Sequence, residues 1–159
     1  MTCLITVTKL VTVMAANSQF AIAVHILTLL AEREGLRVRS GEIAKSVNTN
    51  PVVIRRIISG LHEAGLVVSH VGAAGGNEIA RCPNKIRLSE IYGAVCPGET
   101  FLVPEKKANS RCPIGRNMSE ILCGLQKEDD ASIEKQLRKT TLQEIMEKAL
   151  RPKAVKKTK

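Results

Sequence analysis

Residues 40–65 read SGEIAKSVNTNPVVIRRIISGLHEAG, and this stretch predicts two short helices joined by a tight turn. Ser40 is a suitable N-cap for the first helix, because a serine side chain can accept a hydrogen bond from a free helical N–H group. Asn48 suits the turn that follows, since asparagine tolerates the left-handed backbone that a sharp helix end requires. Helical spacing places three apolar residues on one face of the first helix: Ile43, Ala44 and Val47.

The second helix is predicted to begin at Asn50-Pro51 and to run to about Ala64, with Gly65 as its stop. Asparagine at the N-cap and proline at the first helical position are a typical start, because proline lacks the N–H that would have no partner there. At ~100° per residue the helix has an apolar stripe and an outward face. The stripe consists of Ile54, Ile57, Ile58 and Leu61, and the outward face of Val52, Arg55, Arg56 and Ser59.

The outward face of the second helix favours DNA as a partner. A helix that follows a tight turn, buries one stripe and turns two adjacent arginines outward is typical of a helix that enters the major groove. An ordinary helical hairpin with a solvated arginine face has the same pattern, and both interpretations stay open on these residues alone.

The segment after the second helix strengthens the DNA-binding interpretation. Residues 66–68 and 78–80 predict two strands around a turn that contains Gly72, Gly75 and Gly76. The glycines alone would also fit a simple loop. A β-hairpin directly after a helix-turn-helix, however, makes a winged helix.

Composition fits one domain with an appended element, and it limits the nucleic acids that the chain could bind. Of the 159 residues, 44% are hydrophobic and only 2% aromatic, which argues against single strands bound by stacked bases. The net charge is +9, but the last nine residues hold five basic residues and no acidic one. The remaining chain has 19 basic and 15 acidic residues, or +4. Residues 37–65 hold five basic and two acidic residues, as a surface facing phosphates should.

The rest of the chain predicts further helices. Thr141 and Glu144 match a capping box for the last of them. A long amphipathic helix outside a small winged domain usually buries its apolar stripe against a partner, so we interpret the long helix as a dimer interface. The alternative is that it packs only on its own domain. These helices are expected from Asn17 or Ser18 to about Arg33, over 86–95, onward from Cys112-Pro113, and over 142–150.

The predicted fold class is mainly α with a small β-hairpin wing. A winged helix-turn-helix domain (14–95) is followed by a loop and dimerisation helices (96–150) and a basic, disordered tail (151–159). Residues 1–13 are interpreted as an N-terminal extension too short to span a membrane, with Met14 as an alternative start. Five cysteines without C-x-x-C spacing and without an export signal predict reduced thiols in the cytoplasm.

Five segments follow one another along the chain: SQFAIAVHIL, SGEIAKSVNTNPVVIRRIISGLHEAGLV, GAAGGNEIAR, IRLSEIYGAV and CPIG, which opens the long helix. In this order they resemble the bacterial Rrf2 family of winged-helix transcription regulators. The resemblance covers almost the whole chain, from Ser18 to Leu150, and NTNPVVIRR and CPIG are most similar to the YwnA-like branch. It implies a homodimeric, sequence-specific regulator, expected to be a repressor, that binds double-stranded DNA at a palindromic operator.

The resemblance also places the DNA-binding residues. Val52, Arg55 and Arg56 fall on the recognition helix and three glycines on the wing. Gln19 falls near the start of the first helix, where the family often has arginine. The full set of predicted DNA-binding residues is Gln19, Ser40, Asn50, Val52, Arg55, Arg56, Ser59, Gly72, Gly75 and Gly76.

The chain departs from the family in two places. The family's wing commonly reads R-G-x-x-G-G-Y, but Val71 stands at the arginine position and Asn77 at the aromatic position. A winged-helix protein-interaction module that has lost specific DNA binding is therefore the alternative function.

Cluster-binding members carry three closely spaced cysteines before the long helix, whereas Cys96, Cys112 and Cys123 are far apart. We therefore expect no iron–sulfur cluster and no other metal or cofactor. We expect no enzyme either, since no nucleophile–base pattern or cofactor loop is present.

Two cysteines are candidates for a redox signal. Cys112 precedes Pro113 at the predicted start of the long helix, near Arg111 and Arg116. A helix N-terminus and cationic neighbours favour the thiolate, which is the reactive form. Cys96, or a cysteine of another chain, could then form a disulfide that releases DNA. Two alternatives stay open: Cys112 is a small hydrophobe at a helix start, or the signal is a metabolite bound between the domains.

Overall fold

The structure, a computed structural model, describes residues 3–72, 74–96 and 111–151, and in the first helix it describes side chains from Ser18 onward. The predicted fold class, mainly α with a small β-hairpin wing, is confirmed. The helices are α1 (Cys3–Glu32), α2 (Ser40–Val47), α3 (Pro51–Glu63), α4 (Leu88–Val95), α5 (Pro113–Leu137) and α6 (Leu142–Leu150). Between α3 and α4 lie β1 (Val67–His70), β2 (Gly76–Ile79) and a 3-10 turn (Pro83–Lys85).

The first helix begins earlier than the sequence predicted, at Cys3 instead of Asn17 or Ser18. The chain contains no glycine or proline between Cys3 and Glu32, so no residue interrupts the helical backbone in this run. The prediction of the helix start was wrong because a residue type that suits an N-cap does not begin a helix inside an uninterrupted helical run.

The turn between α2 and α3 follows the sequence prediction. Asn48 has a left-handed backbone, with φ 56° and ψ 53°. The next N–H group, of Thr49, bonds to the carbonyl of Ala44 at 3.0 Å. Asn50 then caps α3, because its Oδ1 accepts a hydrogen bond from the N–H of Val52 at 2.8 Å. These local bonds set the angle at which α3 leaves the turn.

Ser40 is the first residue of α2 rather than its N-cap. Arg39 has the extended backbone of an N-cap, with φ −77° and ψ 145°, but its side chain makes no capping hydrogen bond. Its carbonyl accepts a hydrogen bond from the N–H of Glu42 at 2.9 Å. Val38, directly before it, pairs with Asn77 through two backbone hydrogen bonds of 2.9 Å. This pairing holds the chain extended up to Arg39, and the helix begins directly after it at Ser40, one residue earlier than predicted.

The wing is an antiparallel hairpin in which Val67 pairs with Ile79 and His70 with Gly76. Its base is anchored twice. Val67 is buried in the core, and the bridge between Val38 and β2 joins the hairpin to the segment before α2. The tip of the hairpin therefore projects from a fixed base.

The core is built around α1, which contacts α2, α3, α4, α6 and β2. The apolar stripe predicted on α3 packs into this core, and all four of its residues are buried. Burial of one such side chain stabilises a fold by about 1.5–3 kcal/mol. This packing fixes α3 against α1 and leaves its other face outside. The buried residues of α1 are Ala23, Ile26, Leu27, Leu29, Leu30 and Ala31.

The long helix α5 is continuous through the acidic stretch 128–130. It contacts α4, and none of its residues is buried. The predicted loop 96–111 and tail 151–159 lie almost entirely outside the described residues.

After α5 the chain returns to the core through α6. The predicted capping box is confirmed: Thr141 Oγ1 accepts a hydrogen bond from the N–H of Glu144 at 3.3 Å. Leu142 is fully buried, and its N–H bonds to the carbonyl of Ile86 at 2.9 Å. The helices on both sides of the undescribed loop are therefore held by one core.

Replacement of the cap of α3 should destabilise the protein. Asn50→Ala removes the acceptor for the N–H of Val52, so we expect the free energy of unfolding to fall by about 1 kcal/mol. Urea denaturation followed by circular dichroism measures this change. Asn50→Asp keeps an acceptor and is the matched control. An equal loss in both variants would contradict the capping role.

Candidate nucleic-acid interface

The outward face of α3 is exposed along its length, as the sequence predicted. Val52, Arg55, Arg56 and Ser59 are all exposed, Val52 at 64%. The hydroxyl of Ser59 donates a hydrogen bond to Glu63 at 3.4 Å. Within the described residues, Arg55 makes no hydrogen bond or ion pair. The face thus combines an apolar contact near its N-terminus with a guanidinium that is available to a partner.

Arg56 differs from Arg55, because its guanidinium contacts α1. In the amide orientation that satisfies both partners, Gln19 Oε1 accepts a hydrogen bond from Arg56 Nη2 at 2.8 Å. The amide nitrogen of Gln19 donates to the carbonyl of Val95 at 3.2 Å. Three helices, α1, α3 and α4, therefore meet at one amide group.

Gln19 is half-buried inside α1, not near the start of the helix as predicted. Its amide is engaged with two protein groups, so its place in the interface is beside Arg56. No sequence pattern indicated this contact, because Gln19, Arg56 and Val95 belong to segments that are distant along the chain.

Two further predicted residues lie at the helix starts of the helix-turn-helix. Ser40 is half-buried in the first turn of α2. Asn50 is exposed, and its Oδ1 is used to cap α3. Its amide N–H₂ group is therefore the part of the side chain that can donate to a partner.

Two other arginines are held in ion pairs. Arg33 contacts Glu42, and Arg81 Nη2 lies 2.6 Å from Glu90 Oε2. Burial raises the pKa of Glu90, but the backbone N–H of Arg87 and the guanidinium of Arg81 outweigh it, so the pKa is lowered overall. Paired guanidinium groups on a surface attract phosphates less than unpaired ones.

Asn77, which stands at the aromatic position of the family's wing pattern, has a structural role here. The residue is only 6% exposed, and its Nδ2 donates to the carbonyl of Val38 at 3.1 Å. Its Oδ1 accepts a hydrogen bond from the hydroxyl of Ser69 at 2.9 Å. The side chain thus locks the wing to the helix-turn-helix. It is not available to DNA.

The wing glycines shape the turn. Gly72 has φ +98°, and a Cβ atom at Gly75 would lie 2.4 Å from the carbonyl oxygen of His70. At Gly76 a Cβ would lie 3.0 Å from the backbone of Arg37. These glycines could contact DNA only through their backbone. Val71, at the tip, is 99% exposed.

The wing offers little positive charge. Residues 66–80 contain no lysine or arginine. Nε2 of His70 lies 2.6 Å from Oε1 of Glu78, across the hairpin. A phosphate at the wing would therefore meet mainly backbone and small side chains.

The two cysteines predicted as redox candidates have different environments. Cys112 is exposed at the N-cap of α5, and its Sγ accepts a hydrogen bond from the N–H of Gly115 at 3.5 Å. Cys96 is buried. Burial raises the pKa of the Cys96 thiol, and a hydrogen bond from the backbone of Phe20 only partly opposes this. Of the two, Cys112 is the thiol that a reactant in solution can reach.

Residues 16–148 match the Rrf2 family, described as iron-dependent transcriptional regulators. The chain belongs to this family. Its relatives are transcriptional regulators and not enzymes.

Individual relatives span most of the chain. YwnA of Bacillus subtilis strain 168, provisionally described as a helix-turn-helix transcriptional regulator, is 35% identical over 130 residues, which are 82% of this chain and 96% of YwnA. A regulator from Lactobacillus plantarum superimposes with a TM-score of 0.70 at 28% identity, covering 82% of this chain and 89% of its own. A protein provisionally described as DNA-binding superimposes with a TM-score of 0.63 at 33% identity, covering 80% and 98%.

The described residues of this Rrf2 chain do not form an iron site. In the described part of the chain, no three His, Cys, Asp or Glu side chains lie close enough together to hold a metal ion. The loop 97–110, which lies outside the described residues, contains no cysteine or histidine in its sequence. Iron–sulfur clusters are held by cysteine thiolates, and the raised pKa of Cys96 disfavours its thiolate.

Among the described helices, none is long and apolar enough to cross a membrane.

Proposed function

We propose that the protein is a homodimeric transcriptional repressor that binds a palindromic operator in double-stranded DNA through α3. The observation that carries this proposal is the outward face of α3, where Val52, Arg55, Arg56 and Ser59 are exposed while the opposite stripe is buried. Such a regulator acts where a bacterial chromosome lies, in the cytoplasm. It needs no iron–sulfur cluster for this role.

The dimensions and chemistry of α3 support major-groove binding. A helix fits the major groove, and an arginine can form two hydrogen bonds with guanine there. The cap at Asn50 and the burial of the stripe hold α3 in place, so the reading face is ordered before DNA arrives. Preorganisation lowers the entropic cost of binding.

Removal of either arginine should weaken DNA binding. A duplex enriched from random DNA by the wild-type protein serves as the probe, and fluorescence anisotropy at several salt concentrations gives the affinity. If the arginine contacts guanine, Arg55→Ala or Arg56→Ala should lose about 1–3 kcal/mol of binding free energy and should relax the base preference at one position of the operator. A phosphate contact should lower affinity on all sequences and reduce the salt slope by about one.

Arg138→Ala is the matched control, because Arg138 is an exposed arginine paired with Glu134 at the end of α5. It should leave affinity unchanged. Full affinity in both α3 variants would contradict α3 as the reading face.

A winged-helix protein-interaction module is the second candidate function. The absence of lysine and arginine from residues 66–80 favours it, because wings that grip DNA use cations. The enrichment experiment separates the two functions. If the wild-type protein enriches no palindrome even at low salt, the interaction module is the better explanation.

The dimer is supported by an apolar stripe on α5. Four of its apolar side chains are exposed at steps of four, three and four residues, the spacing of a helix–helix seam. The half-buried residues of α5, which contacts α4, lie on a different side of the helix, so the stripe is left for a partner. The stripe consists of Ile114 (71% exposed), Met118 (38%), Ile121 (56%) and Leu125 (49%).

A charge in this stripe should separate the protomers. Ile121→Lys puts an ammonium group into the proposed seam, so the dimer should dissociate at micromolar concentration, because burial of an unpaired charge is costly. Sedimentation velocity measures the mass. Glu120→Lys is the control. Glu120 is also exposed but lies one position away, outside the stripe, so this variant should stay dimeric. A monomeric wild type, or a dimeric Ile121→Lys, would contradict the proposed seam.

The signal is proposed to be oxidation of Cys112. The hydrogen bond from Gly115 to its Sγ and its exposure favour reaction there. Hydrogen peroxide would oxidise the thiolate to a sulfenic acid and release hydroxide. A second thiol, of Cys96 or of the partner chain, would then displace water and form a disulfide. A small molecule bound between α4 and α5 is the competing signal.

Mild peroxide should therefore reduce operator affinity of the wild type, and a reductant should restore it. Cys112→Ser should be insensitive, whereas Cys123→Ser should respond like the wild type, because Cys123 is exposed on α5 but far from its N-terminus. Anisotropy with and without peroxide gives the result. Loss of binding that persists in Cys112→Ser would exclude Cys112, and no response in the wild type would exclude thiol sensing.

A further inference from the structure

The strongest unassigned feature of the structure is the amide of Gln19. It accepts a hydrogen bond from Arg56 on α3 and donates one to the carbonyl of Val95 on α4. Neither partner belongs to the helix of Gln19, so the side chain bridges two elements that the apolar core already brings together.

The chemistry of the bridge suits an amide. An amide group carries an acceptor and a donor on adjacent atoms, and it has no charge of its own. Val95 is the last residue of α4, so its carbonyl has no partner inside that helix and lies at the negative end of the helix dipole. The positive guanidinium faces the oxygen of Gln19, and the carbonyl faces its nitrogen. Each end of the amide therefore meets the group it can satisfy.

The bridge makes the two neighbouring arginines of α3 unequal. Arg55 has no hydrogen bond or ion pair within the described residues. Arg56 has one Nη2 hydrogen bond, and the guanidinium has five N–H donors in total. Most of its donors thus remain available while its orientation is restricted. A long side chain that is ordered in advance loses less entropy when it binds.

We propose that Gln19 is a positioning residue, which holds Arg56 in the orientation that binds DNA and does not itself need to contact DNA. This inference rests on the proposed DNA-binding function, because the restraint has a use only if Arg56 reads or grips a ligand. It changes the role expected for Gln19 from a direct contact to a support for one.

A double-mutant cycle tests the proposal. Gln19→Met keeps the length of the side chain and removes both hydrogen bonds. It is introduced into the wild type, into Arg56→Ala and into Arg55→Ala. Affinity for the enriched duplex is measured by anisotropy, and thermal unfolding of the free proteins is followed by circular dichroism.

Gln19→Met should weaken DNA binding about two- to tenfold in the wild type, the range expected for one long side chain that must be ordered on binding. The same loss should occur in the Arg55→Ala background. No further loss should occur in Arg56→Ala. Gln19→Met should lower the melting temperature less in the Arg56→Ala background than in the other two backgrounds, because one of the two hydrogen bonds of Gln19 is already absent there.

An equal loss of affinity in all three backgrounds would overturn the proposal, since Gln19 would then act on DNA directly or through the whole fold. Coupling in the melting temperatures without coupling in affinity would show a purely structural bridge and would also overturn it. A wild type that binds no duplex would overturn the proposed function itself. In that case the double-mutant cycle in melting temperature still decides whether Gln19 holds Arg56.

Gln19→Glu provides a second test of the bridge if Gln19→Met fails to fold. It keeps an acceptor for Arg56 and loses the donor for Val95. The difference in melting temperature between the wild-type and Arg56→Ala backgrounds should therefore persist with glutamate at position 19 and shrink with methionine. If glutamate also removes the coupling, the hydrogen bond to Arg56 is not what holds the bridge.

Discussion

The burial of α1 is the constraint on which the other elements depend. Ala23, Ile26 and Leu27 are fully buried, and the helix contacts α2, α3, α4, α6 and β2. Apolar packing of this kind tolerates little displacement, because protein cores are as dense as organic crystals. The outward face of α3 is therefore placed by residues that never reach the surface. The same core receives Leu142 of α6, so α6 also stabilises the placement of α3.

The wing of this protein can contribute shape, but little charge, to the proposed DNA interface. The side chain of Asn77 bonds to Val38 and Ser69, which fixes the hairpin rigidly to the helix-turn-helix. A rigid wing without lysine or arginine can fit against a groove, but it releases few counterions. Electrostatic attraction must then come from α3 and its surroundings. The exposed tip, Val71, could contribute only apolar or shape-dependent contacts.

Features that depend on a few neighbouring residues could be predicted from the sequence. The left-handed Asn48, the cap at Asn50 and the box at Thr141 are of this kind, because each bonds to backbone groups within four residues along the chain. Features that depend on distant segments could not be predicted. The start of α2 depends on the pairing of Val38 with the wing, and the restraint of Arg56 depends on Gln19. The start of α1 at Cys3 was missed for a third reason, since cap residues are ambiguous inside a continuous helix.

The position of α4 suggests how a signal could reach the reading face. This helix contacts α1, α3 and α5, and its last residue shares the amide of Gln19 with Arg56. The next residue, Cys96, has a hydrogen bond with the backbone of Phe20 on α1. A Cβ atom at Gly60 of α3 would lie only 2.9 Å from the carbonyl oxygen of Ala94, so α3 and α4 have little room to slide. A displacement of α4 by α5 would therefore change the contacts of α3 and of Gln19 together. Coupling between distant sites requires an element whose position both sites bias, and α4 is in contact with both.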